Sequence, residues 1–117
     1  MSDKPTLFSP GIGKRGMTAL HYAAYCGDLE ELSQQLKTGA NPNLKDEYRG
    51  YTALHWLSDM AATGGPRLEM LRLLVVHGAD VNAVSENGET ALSLAFEAGN
   101  SLGDAMAVEL KTQGASG

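Results

Sequence analysis

A phrase of eight residues recurs three times in this chain of 117 residues. It reads GMTALHYA at 16–23, GYTALHWL at 50–57 and GETALSLA at 88–95, so successive copies start 34 and 38 residues apart. Repetition at such a period is typical of repeat architectures, in which each unit buries its apolar face only by stacking on its neighbours. We therefore expect a single domain built from three copies of one unit.

Each copy predicts two helices followed by an extended loop. A threonine suits the N-cap of the first helix, because its side-chain oxygen accepts a hydrogen bond from a free N–H of the first turn; these residues are Thr18, Thr52 and Thr90. Gly27 and Gly99 are expected to end this helix in copies one and three, since glycine tolerates the left-handed conformation. A second apolar helix ends in Gly-Ala, and the Asn, Asp and Gly that follow favour a hairpin loop.

These phrases resemble the ankyrin repeat, whose signature is approximately Thr-Pro-Leu-His-x-Ala-Ala, a Gly, then Leu-Leu-x-x-Gly-Ala-Asp-x-Asn. The matches are Thr18, Leu20, His21, Ala23, Ala24, Gly27, Gly39, Ala40 and Asn43 in copy one, and Thr52, Leu54, His55, Leu73, Leu74, Gly78, Ala79, Asp80 and Asn82 in copy two. The resemblance extends over about residues 13–116. The chain departs from the signature at Ala19, Ala53 and Ala91, where the family prefers Pro, and at Ser93, where it prefers His.

The resemblance implies an all-α fold, an ankyrin-repeat solenoid of three stacked helix-turn-helix units with protruding hairpin loops. The expected organisation is an N-terminal entry segment at 1–12, a first repeat and N-terminal cap at 13–45, a second repeat at 46–84, and a third repeat and C-terminal cap at 85–117. Ankyrin-like repeats bind other proteins, so the resemblance also implies a protein-binding function without a cofactor.

The copies differ in length at three places. Thr52 follows Asn43 by nine positions, whereas Thr90 follows Asn82 by eight, so the first hairpin holds one extra residue. Copy two has five extra residues between its helices, within 59–66, and copy three about three, around 99–104. Insertions fall in loops and often on the binding side. We expect the 59–66 segment to serve recognition, with harmless length variation as the alternative.

Composition excludes several functional classes. A formal net charge of −5 and a pI of about 5.0 argue against binding to nucleic acid or an anionic membrane, since both require a basic surface. No apolar run is long enough for a membrane span, and the first residues lack the apolar core of a secretion signal. Cys26 is the only cysteine, which suits a reducing compartment. We expect a cytoplasmic monomer; a periplasmic location fits only if a signal had been removed.

Metal and catalytic chemistry are poorly supported by the residues present. His21 and His55 stand alone, without the Cys or carboxylate partners that a metal site needs. The resemblance implies that these histidines instead hydrogen-bond the turns of their own and the next repeat. Cys26 lacks an obvious base to activate it as a nucleophile. We therefore expect no enzyme activity and no metal.

Twelve residues are candidate contacts with a partner protein. The first hairpin carries tyrosine and arginine, which are enriched at interface hot spots, and ankyrin-like proteins bind partners through hairpin tips and the concave groove. Trp56 has two equally weighted interpretations, a groove contact or packing between repeats. The full set is Arg15, Met17, Tyr25, Lys45, Tyr48, Arg49, Tyr51, Trp56, Asp59, Met60, Glu86 and Glu89.

Two functional hypotheses follow. In the first, the chain is a stand-alone inhibitor or immunity-type protein that covers the active site of a partner enzyme. In the second, it is an adaptor or assembly subunit of a larger complex without inhibitory action. The small size and the extra residues at 59–66 favour the first hypothesis.

Overall fold

Within residues 18–47, 49–59, 66–99 and 101–115, which the computed structural model describes, the chain forms six α-helices. They are α1 (Ala19–Cys26), α2 (Leu29–Lys37), α3 (Ala53–Ser58), α4 (Arg67–Val76), α5 (Ala91–Ala98) and α6 (Ser101–Thr112). These residues contain no strand, so the all-α prediction is confirmed. The longest described helix has 12 residues, too few to reach across the roughly 30 Å core of a bilayer.

The first helix of every repeat begins with the same reciprocal cap. Each threonine side chain accepts a hydrogen bond from the backbone N–H three residues later, and each threonine N–H donates to the side chain of that later residue. The later residue is His21 or His55 in the first two repeats and Ser93 in the third. Thr18, Thr52 and Thr90 are therefore N-caps as predicted.

The helices form two rows. α1, α3 and α5 pack side by side, and α2, α4 and α6 pack against one another beside them. Small residues such as Ala23 and Ala53 are fully buried in the first row, which lets neighbouring helices approach closely. Leu32, Leu71 and Leu110, from the second row, are also fully buried. Three stacked helix pairs are thus confirmed.

Two hairpins protrude between the repeats. In hairpin 1 (46–51) the Asp46 N–H donates to the Tyr51 carbonyl at 2.9 Å, and in hairpin 2 (85–89) the Ser85 N–H donates to the Glu89 carbonyl at 2.8 Å. The side chains of Asp46 and Ser85 accept further backbone N–H bonds inside their loops. The first loop is one residue longer, as predicted from the spacing.

Asparagine side chains tie each hairpin base to the following repeat. Asn43 Nδ2 donates to the Gly78 carbonyl at 2.9 Å, and Asn43 Oδ1 accepts from the Asp80 N–H. Asn82 Nδ2 makes the matching bond to the Gly114 carbonyl at 3.3 Å. The sequence indicated only turn residues at these positions, whereas the structure makes them links between repeats.

The extra residues between helices have different outcomes in copies two and three. In copy two, α3 ends at Ser58 and α4 begins at Arg67, so 59–66 separates the helices as predicted. In copy three the prediction is wrong, because only 99–100 lies between α5 and α6, as only 27–28 lies between α1 and α2. The additional residues lengthen α6 to 12 residues, against 9 in α2. The glycine inside α6 costs about 1 kcal/mol of helix stability relative to alanine. Burial of other side chains along α6 contributes in the opposite direction.

Candidate functional site

Eight of the twelve candidate contacts lie within the described residues, and the structure brings them together. Arg15, Met17, Tyr48 and Met60 lie outside the described residues. The other eight come from α1, α3, the two hairpins and the residues next to them; they are Tyr25, Lys45, Arg49, Tyr51, Trp56, Asp59, Glu86 and Glu89. Contacts join these segments: the Tyr25 ring meets Trp56, Trp56 meets Tyr51, and the Tyr51 hydroxyl bonds Arg49 and Glu89.

Tyr51 is the buried centre of this cluster, and the prediction that it contacts a partner directly is corrected. Its relative exposure is 0%. The Arg49 Nη1 group donates to the Tyr51 hydroxyl at 3.4 Å, and the hydroxyl donates to Glu89 Oε1 at 3.4 Å. Burial raises the pKa of Tyr51, so the hydroxyl stays protonated and remains a donor. Tyr51 therefore positions an arginine from hairpin 1 and a glutamate from hairpin 2.

The Trp56 indole is hydrogen-bonded to a buried carboxylate. The indole is 8% exposed, and its Nε1–H donates to Asp46 Oδ2 at 2.7 Å. The Trp56 ring also meets the Tyr51 ring edge-on, with centroids 5.1 Å apart. Of the two interpretations of Trp56, packing is the one observed. Asp46 was missed by the sequence reasoning, because nothing in the sequence pairs a turn aspartate with a tryptophan 10 residues later.

Tyr25 presents the exposed end of the aromatic cluster. Its ring is 37% exposed and meets Trp56 edge-on at 5.4 Å between centroids. Tyr22, one turn earlier on α1, lies 6.5 Å from the Tyr25 ring. Edge-on aromatic pairs contribute about 0.5–1.5 kcal/mol beyond their buried area, so the Tyr25 ring rests on a rigid support.

Charged groups surround the aromatic cluster. Arg49 is exposed, and its guanidinium carbon lies 5.7 Å from the centroid of the Tyr51 ring. The Asp59 carboxylate, at the end of α3, lies close enough to Tyr51 to contribute to its raised pKa after burial. Glu86 is exposed, and its N–H donates to the Arg49 carbonyl at 2.9 Å, which joins the two hairpins. We name the surface formed by Tyr25, Arg49, Asp59, Glu86 and Glu89 the hairpin-side face.

Both ring nitrogens of each of the two histidines take part in hydrogen bonds within the fold. His21 Nδ1 accepts from the Thr18 N–H at 3.0 Å, so Nε2 carries the proton and donates to the Leu44 carbonyl at 2.8 Å. His55 repeats this arrangement and donates to the Glu89 carbonyl of hairpin 2 at 2.8 Å. Burial lowers the pKa of both rings. The bonds to the turns that the resemblance implied are present.

Lys45 lies immediately before hairpin 1 and is exposed. Its positive charge contributes to the lowered pKa of His55, after the larger effect of burial. Lys45 therefore stands near the base of the hairpin-side face.

Cys26 is an exposed thiol on the last residue of α1. Among the described residues, no group of three or more His, Cys, Asp or Glu side chains is arranged to hold a metal.

Arg67 is a buried residue that sequence reasoning missed. Its guanidinium donates to the carbonyls of Ala24 and Tyr25 at the end of α1, at 3.1 and 3.2 Å, and to the Leu57 carbonyl near the end of α3, at 3.3 Å. Helix ends leave carbonyls without partners within the helix. Arg67 donates to three of these carbonyls. It thereby links the end of α1, which carries Tyr25, to the end of α3, which Asp59 follows. An arginine at the start of a helix ordinarily reads as a solvent-exposed residue, so no sequence signal marked it.

The hairpin-side face has the composition of a binding surface. An exposed aromatic, an arginine and several carboxylates stand on a support that is buried and hydrogen-bonded. Such preorganisation reduces the entropy lost on association.

Comparison with known proteins agrees with this geometry. The family model for ankyrin repeats, in three copies, matches residues 20–110. The chain is 35% identical over 81 residues to the human DNA-binding protein RFXANK, covering 69% of this chain and 29% of that protein. It is 39% identical over 84 residues to mouse protein phosphatase 1 regulatory subunit 12A, covering 72% of this chain and 8% of that protein.

A third relative is the ARF GTPase-activating protein Git of Drosophila melanogaster, 40% identical over 76 residues, which are 65% of this chain and 10% of that protein. The chain thus spans less than a third of the length of each of these relatives. What they share with it is the repeat, a protein-binding module. The repeated caps, the bridging histidines, the hairpins and the family match together show that this chain belongs to the ankyrin-repeat family.

Proposed function

We propose that this chain acts as a regulatory or adaptor subunit that binds a partner protein through the hairpin-side face. The observation that carries the proposal is the continuous support under that face, in which Asp46 holds Trp56 and Tyr51 holds Arg49 and Glu89. Tyrosine and arginine on rigid supports are typical of interface hot spots. One relative is named a regulatory subunit of a phosphatase, which supports a role exerted on another protein.

A second candidate is the narrower one, an inhibitor that covers the active site of a partner enzyme. The observation in its favour is the eight-residue separation of α3 and α4, against two residues between α1 and α2. This connection starts at Asp59, which belongs to the hairpin-side face. Long connections are tolerated at little cost in stability, so harmless length variation is the alternative to a role in contact with the partner.

Affinity capture from the native lysate, followed by binding measurements on the retained protein, tests the general proposal. Arg49→Ala and Tyr25→Ala should each weaken binding by about 1–3 kcal/mol, with the helical melting curve preserved. Lys37→Ala and Val76→Ala are matched controls, because both residues are exposed on second helices away from this face. Unchanged affinity in both face variants, or equal losses in the controls, would remove the hairpin-side face from the site.

Titration of the retained partner's activity separates the two candidates. An inhibitor should abolish turnover at one chain per partner, and the effect should be lost with the Arg49→Ala variant. An adaptor should bind at the same ratio and leave turnover unchanged. We propose the cytoplasm as the compartment, which the single cysteine, Cys26, fits. We propose the monomer as the free state.

A further inference from the structure

The charge of this chain is unevenly distributed. Residues 1–49 carry six Lys or Arg and six Asp or Glu, whereas 50–117 carry three and eight, so the whole formal net charge of −5 belongs to the second part. The stretch 73–110 contains six carboxylates and no Lys or Arg. A protein's field steers partners of opposite charge and raises their association rate. The end of the stack formed by the third repeat is therefore the anionic end.

An aromatic and two carboxylates form a row of one residue per repeat, in which Tyr25 and Glu97 lie on α1 and α5 and Asp59 is the extended residue that follows α3. Tyr25, Asp59 and Glu97 each stand seven residues after the capping threonine of their repeat. Tyr25 and Glu97 are exposed, and Asp59 is partly exposed. Packed helices lie about 8–10 Å apart, and α1, α3 and α5 pack in that order, so the row runs across the three repeats. Tyr25 begins the row at the neutral end of the stack, and Glu97 ends it in the anionic repeat.

The cations near this row come from hairpin 1, the residue before it, and α6, whose Lys111 Nζ lies 5.2 Å from the centroid of the Phe96 ring next to Glu97. Arg49 is held at the Tyr51 hydroxyl, and Lys45 lies near His55. Hairpin 2 adds the carboxylates of Glu86 and Glu89, and the Glu89 carboxylate, like that of Asp59, lies near Tyr51. Hairpin 1 thus contributes a cation to the face, whereas hairpin 2 and α5 contribute carboxylates and no Lys or Arg of their own.

We propose that the partner of the hairpin-side face presents a basic segment. One arginine or lysine lies over the exposed Tyr25 ring and pairs with Asp59, and a second lies about one repeat further along, opposite Glu97. An aromatic face attracts a cation through its quadrupole, and arginine stacks on it while also binding a carboxylate. This inference rests on the proposed function, since it specifies the chemistry of the partner at that same surface.

A peptide-selection experiment tests the inference even while the natural partner is unidentified. The probe is a phage-displayed library of random peptides of about 12 residues, which reach about 40 Å when extended. It is selected against the full chain at about 0.15 M ionic strength. The face variant Asp59→Asn/Glu97→Gln changes one carboxylate of the hairpin-side face and one that belongs to the row but not to the five residues of the face. It is compared with the control Glu30→Gln/Glu69→Gln, whose residues are exposed on α2 and α4. Each variant removes two negative charges, so only their location differs.

The expected result is enrichment of peptides with a net positive charge and at least one Arg or Lys. A representative peptide should bind the face variant about tenfold more weakly and the control variant nearly as well as the unmodified chain. Tyr25→Leu should weaken the same peptide, because the apolar area remains but the aromatic face is lost. Equal binding of the peptide to both charge variants would overturn the inference.

Other outcomes separate the inference from the proposed function. Enriched peptides that carry no cation but lose binding to Arg49→Ala overturn the basic partner and leave the binding face intact. Peptides that bind every variant of the face equally overturn both. A library that yields no binder above background also counts against both.

Discussion

At the scale of single residues, burial separates positions that look alike in the sequence. Met17, Tyr51 and Glu89 each precede a capping threonine. Tyr51 is fully buried, whereas Glu89 keeps part of its surface exposed. Hairpin 2 contacts hairpin 1 around Tyr51, since the Glu86 N–H donates to the Arg49 carbonyl and the Tyr51 hydroxyl donates to Glu89. A tyrosine in a turn-rich segment therefore became a core residue through its neighbouring repeat.

Ser58 carries a polar atom whose removal should stabilise the chain. Its hydroxyl is buried and has no hydrogen-bond partner among the residues that the structure describes. The equivalent residue of the first repeat is Ala24, which is fully buried. Because a buried unsatisfied polar group costs about 1–3 kcal/mol, Ser58→Ala should raise the unfolding free energy by about 1 kcal/mol, measured by urea denaturation.

Ser93→Ala is the matched control for that substitution. The Ser93 hydroxyl accepts from the Thr90 N–H at 2.9 Å and donates to the Thr90 carbonyl at 2.9 Å. Its loss should lower stability by about 0.5–2 kcal/mol, as for other helix caps. A decrease in stability for both variants would mean that the Ser58 hydroxyl contributes to folding.

The buried histidines predict a pH dependence of stability. Burial lowers the pKa of His55 below its ordinary value of 6.5. The unfolded chain therefore binds more protons between the folded pKa and 6.5, so the stabilising effect is complete above 6.5 and decreases as pH falls through this window. The unfolding free energy should decrease between about pH 7 and pH 5, and His21 contributes in the same direction.

His55→Ser tests this origin, because Ser93 shows that serine completes the same cap. The variant loses the bond to the Glu89 carbonyl, so it should be less stable at neutral pH by about 1–3 kcal/mol. Its stability should depend less steeply on pH below 6.5. Parallel pH profiles for variant and unmodified chain would assign the dependence to other groups.

At the scale of elements, the hairpins depend on how closely the next hairpin approaches. Gly50 and Gly88 occupy equivalent positions and both have positive φ, 70° and 79°. A Cβ atom at Gly50 would lie 3.1 Å from the Glu86 nitrogen, whereas one at Gly88 would have nothing within 4 Å. The two glycines therefore share a conformational requirement and differ in a steric one.

Alanine at these two positions should separate the two effects. The left-handed conformation costs a residue with a Cβ about 1–2 kcal/mol, so Gly88→Ala should lower the unfolding free energy by that amount. Gly50→Ala should lower it further, because hairpin 2 must shift to accommodate the methyl group. Urea denaturation measures both, and equal losses would mean that the contact between hairpins relaxes without cost.

The buried Arg67 should control the order of the helix ends around the hairpin-side face. Arg67→Met keeps much of the apolar length but removes the side-chain donors to the carbonyls of Ala24, Tyr25 and Leu57, so stability should decrease by about 1–3 kcal/mol. Arg72→Met is the control, since Arg72 bonds only the side chain of Glu109 among the described contacts and is exposed. Its melting temperature should change little. Equal effects would indicate that Arg67 contributes no more than a surface arginine.

At the scale of the whole molecule, the second repeat packs against both others, α3 against α1 and α5, and α4 against α2 and α6. Stability in such stacks is the sum of repeat and interface contributions. With only three repeats, the unfolding of one repeat removes an interface that stabilises its neighbour. We therefore expect a single cooperative unfolding transition. Trp56, in the middle repeat, reports on both interfaces. Its fluorescence and the far-ultraviolet circular dichroism should change at the same urea concentration; separate midpoints would show that the repeats unfold independently.

The sequence by itself determined the repeat, the order of the helices, their threonine caps and the glycines that end α1 and α5. Each of these depends on interactions over a few residues, which a local pattern records. It also identified the segments that form the hairpin-side face, because tyrosine, arginine and carboxylates cluster there in the sequence. Its errors arose where a local pattern has two outcomes, as when the extra residues of copy three lengthened α6 instead of a loop.

Only the tertiary structure decided which of the candidate residues face solvent. Tyr51 reaches Glu89 38 residues away, Arg67 reaches Ala24 43 residues away, and the Asp46 carboxylate reaches the Trp56 indole across a hairpin. These contacts exist because stacking brings distant segments within hydrogen-bond distance and removes water from between them. A buried polar side chain then requires a partner, and its identity depends on the packing of neighbouring repeats, which residue spacing does not encode.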